Sequence, residues 1–296
     1  QPAGDRPAYA TGMLLDAQDF LDEQTYHRGR LARALRFVAG GGTLSGLRVV
    51  HTGSDETEEI RVEPGLAVDR RGRLIELPRA ACLRLPRWWD AQAARLGDEA
   101  LSLSLHTIEP ALLSPRAVAA GGLPTRAVVA DVFLRFVTCP RGVTPAFASG
   151  PFDALNAVSV ARWRDAHELL LVPRRGLSAA APGLPLPAGA VSVPGETPAQ
   201  AAAREAALTG SDATARQHAL QDAVLHGYPL GEDGGLPPGA EHPREVDASA
   251  VWLARVLLPV VAGDALARDT GAAVSIDNTA RRFLPSSGLL ARAAGL

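Results

Sequence analysis

The sequence predicts an α+β fold, mainly β: an N-terminal helix, then one or two small β-domains of barrel or sandwich type, with helical insertions and long Pro/Gly/Ala-rich loops. Three observations carry this reading. The segment "GMLLDAQDFLDEQTYHRGRLARALRFVAGGG", Gly12 to Gly42, repeats its apolar residues at the helical period and ends in three glycines. From Leu44 the period shortens to alternating runs broken by Gly, Pro and Asp. From Pro173 to Pro198 the chain is rich in Pro, Gly and Ala, as extended loops are. The chain therefore divides into a helical segment (1–43), a β-rich domain (44–172), a Pro/Ala-rich linker containing a helix (173–245) and C-terminal strands that complete a β-domain (246–296).

In the opening segment Asp16, Asp19, Asp22 and Glu23 precede Arg28, Arg30, Arg33 and Arg36. Acid first and base last is the order the helix macrodipole favours. The 3.6-residue period puts Phe20, Gln24, His27, Leu31, Leu35 and Val38 on one face, apolar at its ends and polar in its middle. Two explanations of that polar break stand side by side: a subunit seam, where buried polar residues fix register, or the rim of a monomer's core.

Next, "AVDRRGRLIEL" reads as two strands joined by a tight turn, with Gly72 where a positive φ is needed. "GSDETEE" reads as a hairpin tip whose carboxylates stay in water. "WWDAQAARLG" reads as a short helical insertion, and "ALSLSLHTIEP" and "RAVVADVFLRFVTCP" as strands. "FDALNAVSVARWRDAHELLLVP" reads as helical, as does "TPAQAAAREAALTGSDATARQHALQDAVLHG", with Thr197 as N-cap. "ASAVWLARVLLPVVAG" and "GAAVSIDNTARRFLP" close the chain as two strand-like pieces.

Composition narrows function. With 296 residues, 47% hydrophobic content and a net charge of −2, the chain is neither disordered nor shaped by a strong field, so nucleic acid is not an expected partner. All 30 positive side chains are arginine. Without lysine there is no Schiff-base amine and no phosphate loop ending in Gly-Lys-Ser/Thr. Cys82 and Cys139 lack CxxC spacing and read as two buried thiols. No apolar run approaches a membrane span, and the first residues show no signal-peptide pattern, so synthesis in the cytoplasm without membrane insertion is expected.

Catalytic signatures are equally sparse. The seven histidines show neither HExxH nor HxH spacing, and His106 and Glu109 in one strand would point to opposite faces, so no metal site is expected. "GGGTLSG" lacks the third glycine of the dinucleotide fingerprint and follows a helix where that motif precedes one. Ser45 is not in a GxSxG elbow. No catalytic residue and no cofactor is assigned.

Several phrases together carry a resemblance. "GMLLDAQDFLDEQTYHRGRLARALRF", "GLRVV", "VEPGLAVDRRGRLIELP", "VWLARVLLPV" and "VSIDNTARRFLP" resemble, in this order, proteins encoded among phage-tail-like and contractile-injection-particle genes of bacteria. Phe20, Tyr26 and Arg30 match the helix phrase; Gly65, Asp69, Gly72 and Arg73 match the hairpin phrase. The resemblance implies a structural, non-enzymatic component of a tail or baseplate-like particle, associating with itself and with neighbouring tail proteins. Phe20, Gln24, Tyr26, His27 and Arg30 are the expected subunit contact, and Gly65, Asp69 and Gly72 the structural turn. A carbohydrate- or surface-binding β-sandwich module is the alternative reading, and a hydrolase with an unrecognised site a third.

Overall fold

The computed structural model describes residues 6–96, 101–145, 158–175, 177, 193, 195–227, 236, 241–261, 266–293 and 295. In chain order these form α1 (Ala17–Val38), β1 (Gly42–Gly46), β2 (Val49–Thr52), β3 (Glu59–Val62), β4 (Gly65–Val68), β5 (Leu74–Leu77), β6 (Ala81–Arg84), α2 (Leu85–Leu96), β7 (Leu105–Thr107), α3 (Pro115–Ala120), β8 (Arg126–Pro145), β9 (Val158–Pro173), α4 (Pro198–Thr209), α5 (Ala213–His226), β10 (Val251–Val261), β11 (Ala267–Arg268), β12 (Ser275–Asp277) and α6 (Ser287–Ala293). The fold is α+β; strand and helix take similar shares of the chain, and the strands build the core. The chain divides into a unit of Gln1–Tyr26 with Leu186–Pro237 and a larger unit of His27–Pro185 with Pro238–Leu296.

In the larger unit, β10 pairs antiparallel with β8 from Val251↔Leu134 to Pro259↔Ala127. Along this paired stretch both strands are apolar and buried on two faces, which explains their near-continuous hydrophobic runs. One face, with Val128, Ala130, Val132, Leu134, Val256 and Leu258, packs with Leu47, Val49, Ile60, Val62, Ile75 and Leu77 of the preceding β-segments. The other carries Ala127 and Val129 against Leu112 and Leu113, and Phe133 and Trp252 against Val246. The strand orders are β11-β10-β8-β7, with β9 on β8 and β12 on β10, then β1-β4-β5 and β2-β3-β6; none of them closes into a barrel among the described residues.

Arg255 is the largest side chain fully buried in this core. It sits opposite Asp131 in the ladder and donates to it twice, from Nε at 2.9 Å and Nη2 at 3.1 Å, while Nη1 donates to the Leu112 carbonyl at 2.7 Å. Arg174 adds a second cation 3.3 Å from Asp131 and donates to the Glu241 carbonyl. Two guanidiniums on one carboxylate, with further donors satisfied by carbonyls, is the geometry a buried ion cluster requires.

The late phrase around Asp277 acts as a clasp. Asp277 accepts from the Ser114 amide (2.6 Å) and hydroxyl (2.8 Å), so it holds the residue that caps α3. Asn278 exchanges two 2.8 Å hydrogen bonds with the Val49 backbone, in place of a strand partner. Arg281 donates to the Leu47 carbonyl at 2.6 Å, and burial draws its pKa down to about 10.

Several expectations need correction. Residues 158–173 form strand β9 rather than helix, because their register with β8 runs unbroken from Ala130↔Pro173 to Arg141↔Arg162; tertiary pairing overrides local propensity. Residues 152–157 lie outside the described ones. In "ALSLSLHTIEP" only Leu105–Thr107 is strand. The supposed single helix after Thr197 is two, interrupted at Gly210 and restarted by the Asp212 cap. Cys82 and Cys139 are exposed free thiols because β6 and the far part of β8 present them to solvent. At the hairpin tip Asp55 and Glu56 stay exposed, but Glu58 turns inward to His51 (2.8 Å) and Arg268 (2.7 Å). The expected strand–turn–strand, the helical insertion at Trp88–Trp89 and the Thr197 cap are present.

Candidate assembly surface

Helix α1 begins where its sequence provides a cap. The Asp16 carboxylate accepts from the amides of Gln18 (2.7 Å) and Asp19 (3.1 Å), and Asp19 returns a carboxylate to the Asp16 amide at 2.9 Å. This reciprocal pair satisfies donors that the first turn leaves open. The acidic front half follows at once, with Gln18 donating to Asp22 and Tyr9 to Glu23.

No residue of α1 is fully buried. The expected apolar face is mostly open: Phe20 is 49% exposed, Leu31 61% and Val38 88%, with Leu21 and Phe37 also open, while Leu35 of that face is half-buried. Gln24, His27 and Arg30 are exposed and Tyr26 is half-buried. In the back half of the helix the partly covered residues are Gly29, Ala32, Arg33, Leu35 and Arg36. Small residues at 29 and 32 let another backbone approach there. The 3.6-residue period located the stripe, but period alone does not say whether a stripe faces the chain's own core or the outside.

The backbone that approaches is the hairpin turn between β4 and β5. Asp69 is fully buried and organises this turn: its carboxylate accepts from the amides of Arg71 and Arg73 at 2.8 Å each and from Arg73 Nε at 2.6 Å. Arg73 then reaches Ser249 Oγ at 2.9 Å and lies over the Phe136 ring at 4.7 Å. Gly72 has φ +87°, and a Cβ there would lie 1.8 Å from the Ala32 carbonyl oxygen of α1. Gly65, at the start of β4, leaves no room for a side chain either, since a Cβ would stand 2.3 Å from the Ser45 carbonyl. The structure thus brings Gly72, in the turn that Asp69 organises, against the Ala32–Arg36 stretch of α1, and sets Gly65 at the opposite end of the same strand.

Two further features surround these elements. Beyond Val137, β8 and β9 continue as a two-stranded ribbon whose described residues are all exposed, including Trp163 at 64%. A ribbon of this kind is marginal in isolation. On one of its faces Arg141 stands directly opposite Arg162, next to Arg164, an arrangement that repels within the ribbon. Beside Arg70 of the β4–β5 turn, Glu241, Trp252 and Arg282 line a cavity of about 20 Å³ and each has one buried polar atom that makes no hydrogen bond to protein. That volume admits one water molecule. Burial lowers the pKa of the neighbouring His242, although its hydrogen bond to the Ala250 carbonyl and the Glu241 charge act the other way.

Among the described residues no group of three His, Cys, Asp or Glu is placed to hold a metal ion, and no helix is long and apolar enough to cross a membrane. The chain matches no protein-family model and no curated protein.

The sequence reading missed the Asp131–Arg255–Arg174 cluster. Its signal was present: one acid in "AVVADVFL" and one base in "VWLARVLL", each the single charge in an apolar run, are what a cross-strand buried pair looks like before folding.

Proposed function

We propose that this chain is a structural, non-enzymatic subunit of a phage-tail-like contractile particle, and that it associates with copies of itself and with neighbouring tail or baseplate-like proteins. The observation that carries the reading is the uncovered stripe of α1, where Phe20, Leu31 and Val38 are each about half exposed or more. Large apolar residues in a row along one helix face, rimmed by charge, are what an association surface presents. The polar residues Gln24 and His27 within that row give register to a contact that Phe20 and Leu31 stabilise. The order and spacing of the helix, hairpin and C-terminal phrases support the particle assignment. Their structural roles fit a structural subunit: the hairpin turn seats the back half of α1, and the Asp277–Asn278 clasp ties distant segments of the core together.

Static light scattering of the purified full chain tests this. Oligomers are expected, and Phe20→Ser combined with Leu31→Ser should shift the mass toward the monomer at unchanged helical content. A wild-type chain that stays monomeric at every concentration contradicts the reading.

A further inference from the structure

We infer that α1 pairs antiparallel with α1 of a second copy about a two-fold axis near Tyr26. This rests on the self-association proposed above and names its geometry. The charges of α1 and its cap change sign at that residue: Asp16, Asp19, Asp22 and Glu23 precede it, and Arg28, Arg30, Arg33 and Arg36 follow it. Asp22 and Arg30 lie four positions to either side of Tyr26, Asp19 and Arg33 seven, Asp16 and Arg36 ten. Within the exposed stripe, Phe20 and Leu31, like Gln24 and His27, lie at mirrored positions about a point between Thr25 and Tyr26.

A two-fold contact places each residue against its mirror position in the partner. Run antiparallel, the acidic half of each helix lies along the basic half of the other, and the helix dipoles oppose favourably. Run parallel, acid meets acid and base meets base. The residues that border the exposed stripe decide most directly: Glu23 and Arg30, seven positions apart, fall on one side of it. In the antiparallel pair Glu23 and Arg30 of the other copy lie on the same flank of the contact, twice per contact, whereas a parallel pair puts them on opposite flanks and sets the acidic halves of the two helices side by side. Glu23 also accepts from Tyr9, and Arg30 has contacts of its own, so what discriminates is the sign of these charges rather than any lack of partners. Asp19, Asp22, Arg33 and Arg36 lie further round the helix and contribute through their field. At the centre, Gln24 comes opposite His27 of the other copy, so that the two polar residues of the stripe meet each other instead of opposing apolar side chains. Because the contact is isologous, this face closes at two copies.

Site-directed cross-linking tests the orientation. In a full chain carrying Cys82→Ser and Cys139→Ser, Ala17→Cys and Ala34→Cys are made as separate variants; both alanines are exposed and almost equally distant from Tyr26. Light scattering before oxidation establishes that each variant still associates. After mild oxidation, a 1:1 mixture should give mainly the mixed Ala17→Cys/Ala34→Cys disulfide, at least about fivefold over either homodimer. Homodimeric disulfides from each variant alone indicate a parallel pair and overturn the inference. Oligomers with no cross-link place the contact elsewhere and overturn it as well, leaving self-association standing. Monomers throughout, in these variants and in the wild type, refute the self-association itself.

Discussion

Replacing Gly72 by alanine tests whether the β4–β5 turn is what seats α1. Two costs combine. A non-glycine residue in the left-handed region costs about 1–2 kcal/mol, from which about 0.4–1 kcal/mol of unfolded-state entropy is recovered. The larger cost is steric: the new Cβ would stand 1.8 Å from the Ala32 carbonyl oxygen and 3.0 Å from the Arg36 amide nitrogen, both backbone atoms of α1. The helix or the turn has to give way by more than about 1 Å, and interiors packed at crystal-like density lose a large part of their contact energy over such a gap. The expected result is faster amide exchange along α1 residues 27–38, together with a fall in melting temperature of several degrees, about 2–4 °C for each kcal/mol. Gly142 is the control: φ is +68°, but the nearest atom to its Cβ is the Ala161 side chain at 3.6 Å, so Gly142→Ala incurs the conformational cost without the collision. If Gly72→Ala leaves α1 exchange unchanged and is no more destabilising than Gly142→Ala, the turn does not position the helix.

Asp131→Ala leaves Arg255 and part of Arg174 buried without their carboxylate, which should cost about 3–5 kcal/mol and lower the melting temperature by at least about 6 °C; a shift under 2 °C would mean that the cluster is solvated. Asp277→Asn replaces one acceptor by a donor facing Ser114 and Thr279, with an expected loss of about 1–3 kcal/mol by urea denaturation and no change in secondary structure. His242 titrates below its ordinary value in the folded protein because of burial, so the unfolded chain binds this proton more readily. Its contribution is therefore complete above about pH 6.5 and declines as the pH falls toward the depressed folded value. His242→Gln should flatten the slope of stability against pH between about pH 7 and 5, and an unaltered slope assigns that slope to other groups.

The parts of the fold that could be read in advance are those whose cause is local. Asp69, Gly72 and Arg73 announce a turn because an Asx acceptor and a positive-φ glycine are requirements of the turn itself. Thr197 and Gln200 announce a helix start for the same reason. The failures have non-local causes. Residues 158–173 have mixed local preference, and their strand state is decided by fifteen paired positions on β8, far away in sequence. Glu58 reads as a turn carboxylate until Arg268, supplied from the other end of the chain, makes its burial favourable. For α1 the period located the stripe, but whether its back half, at Leu31 and Val38, faced the core depended on Gly72 holding Ala32 and Arg36 against the hairpin.

The structure also separates the residues that hold the fold from those offered for association. Charges lie where apolar residues are usual, at Asp131 and Arg255 between two buried strands, and large apolar residues lie where charges are usual, along the outer side of α1. The inner charges are satisfied within the chain by bidentate and carbonyl contacts, so they require nothing from a partner. The outer apolar residues are about half exposed or more, and removing them should not weaken the core. It follows that Phe20→Ser and Leu31→Ser should lower the oligomer fraction while leaving the monomer's intrinsic stability within about 0.5 kcal/mol of wild type, whereas Asp131→Ala should do the reverse. Chemical denaturation at protein concentrations below the association range, beside light scattering above it, separates the two effects. A loss of core stability in the α1 variants would mean that the helix stripe belongs to the fold after all.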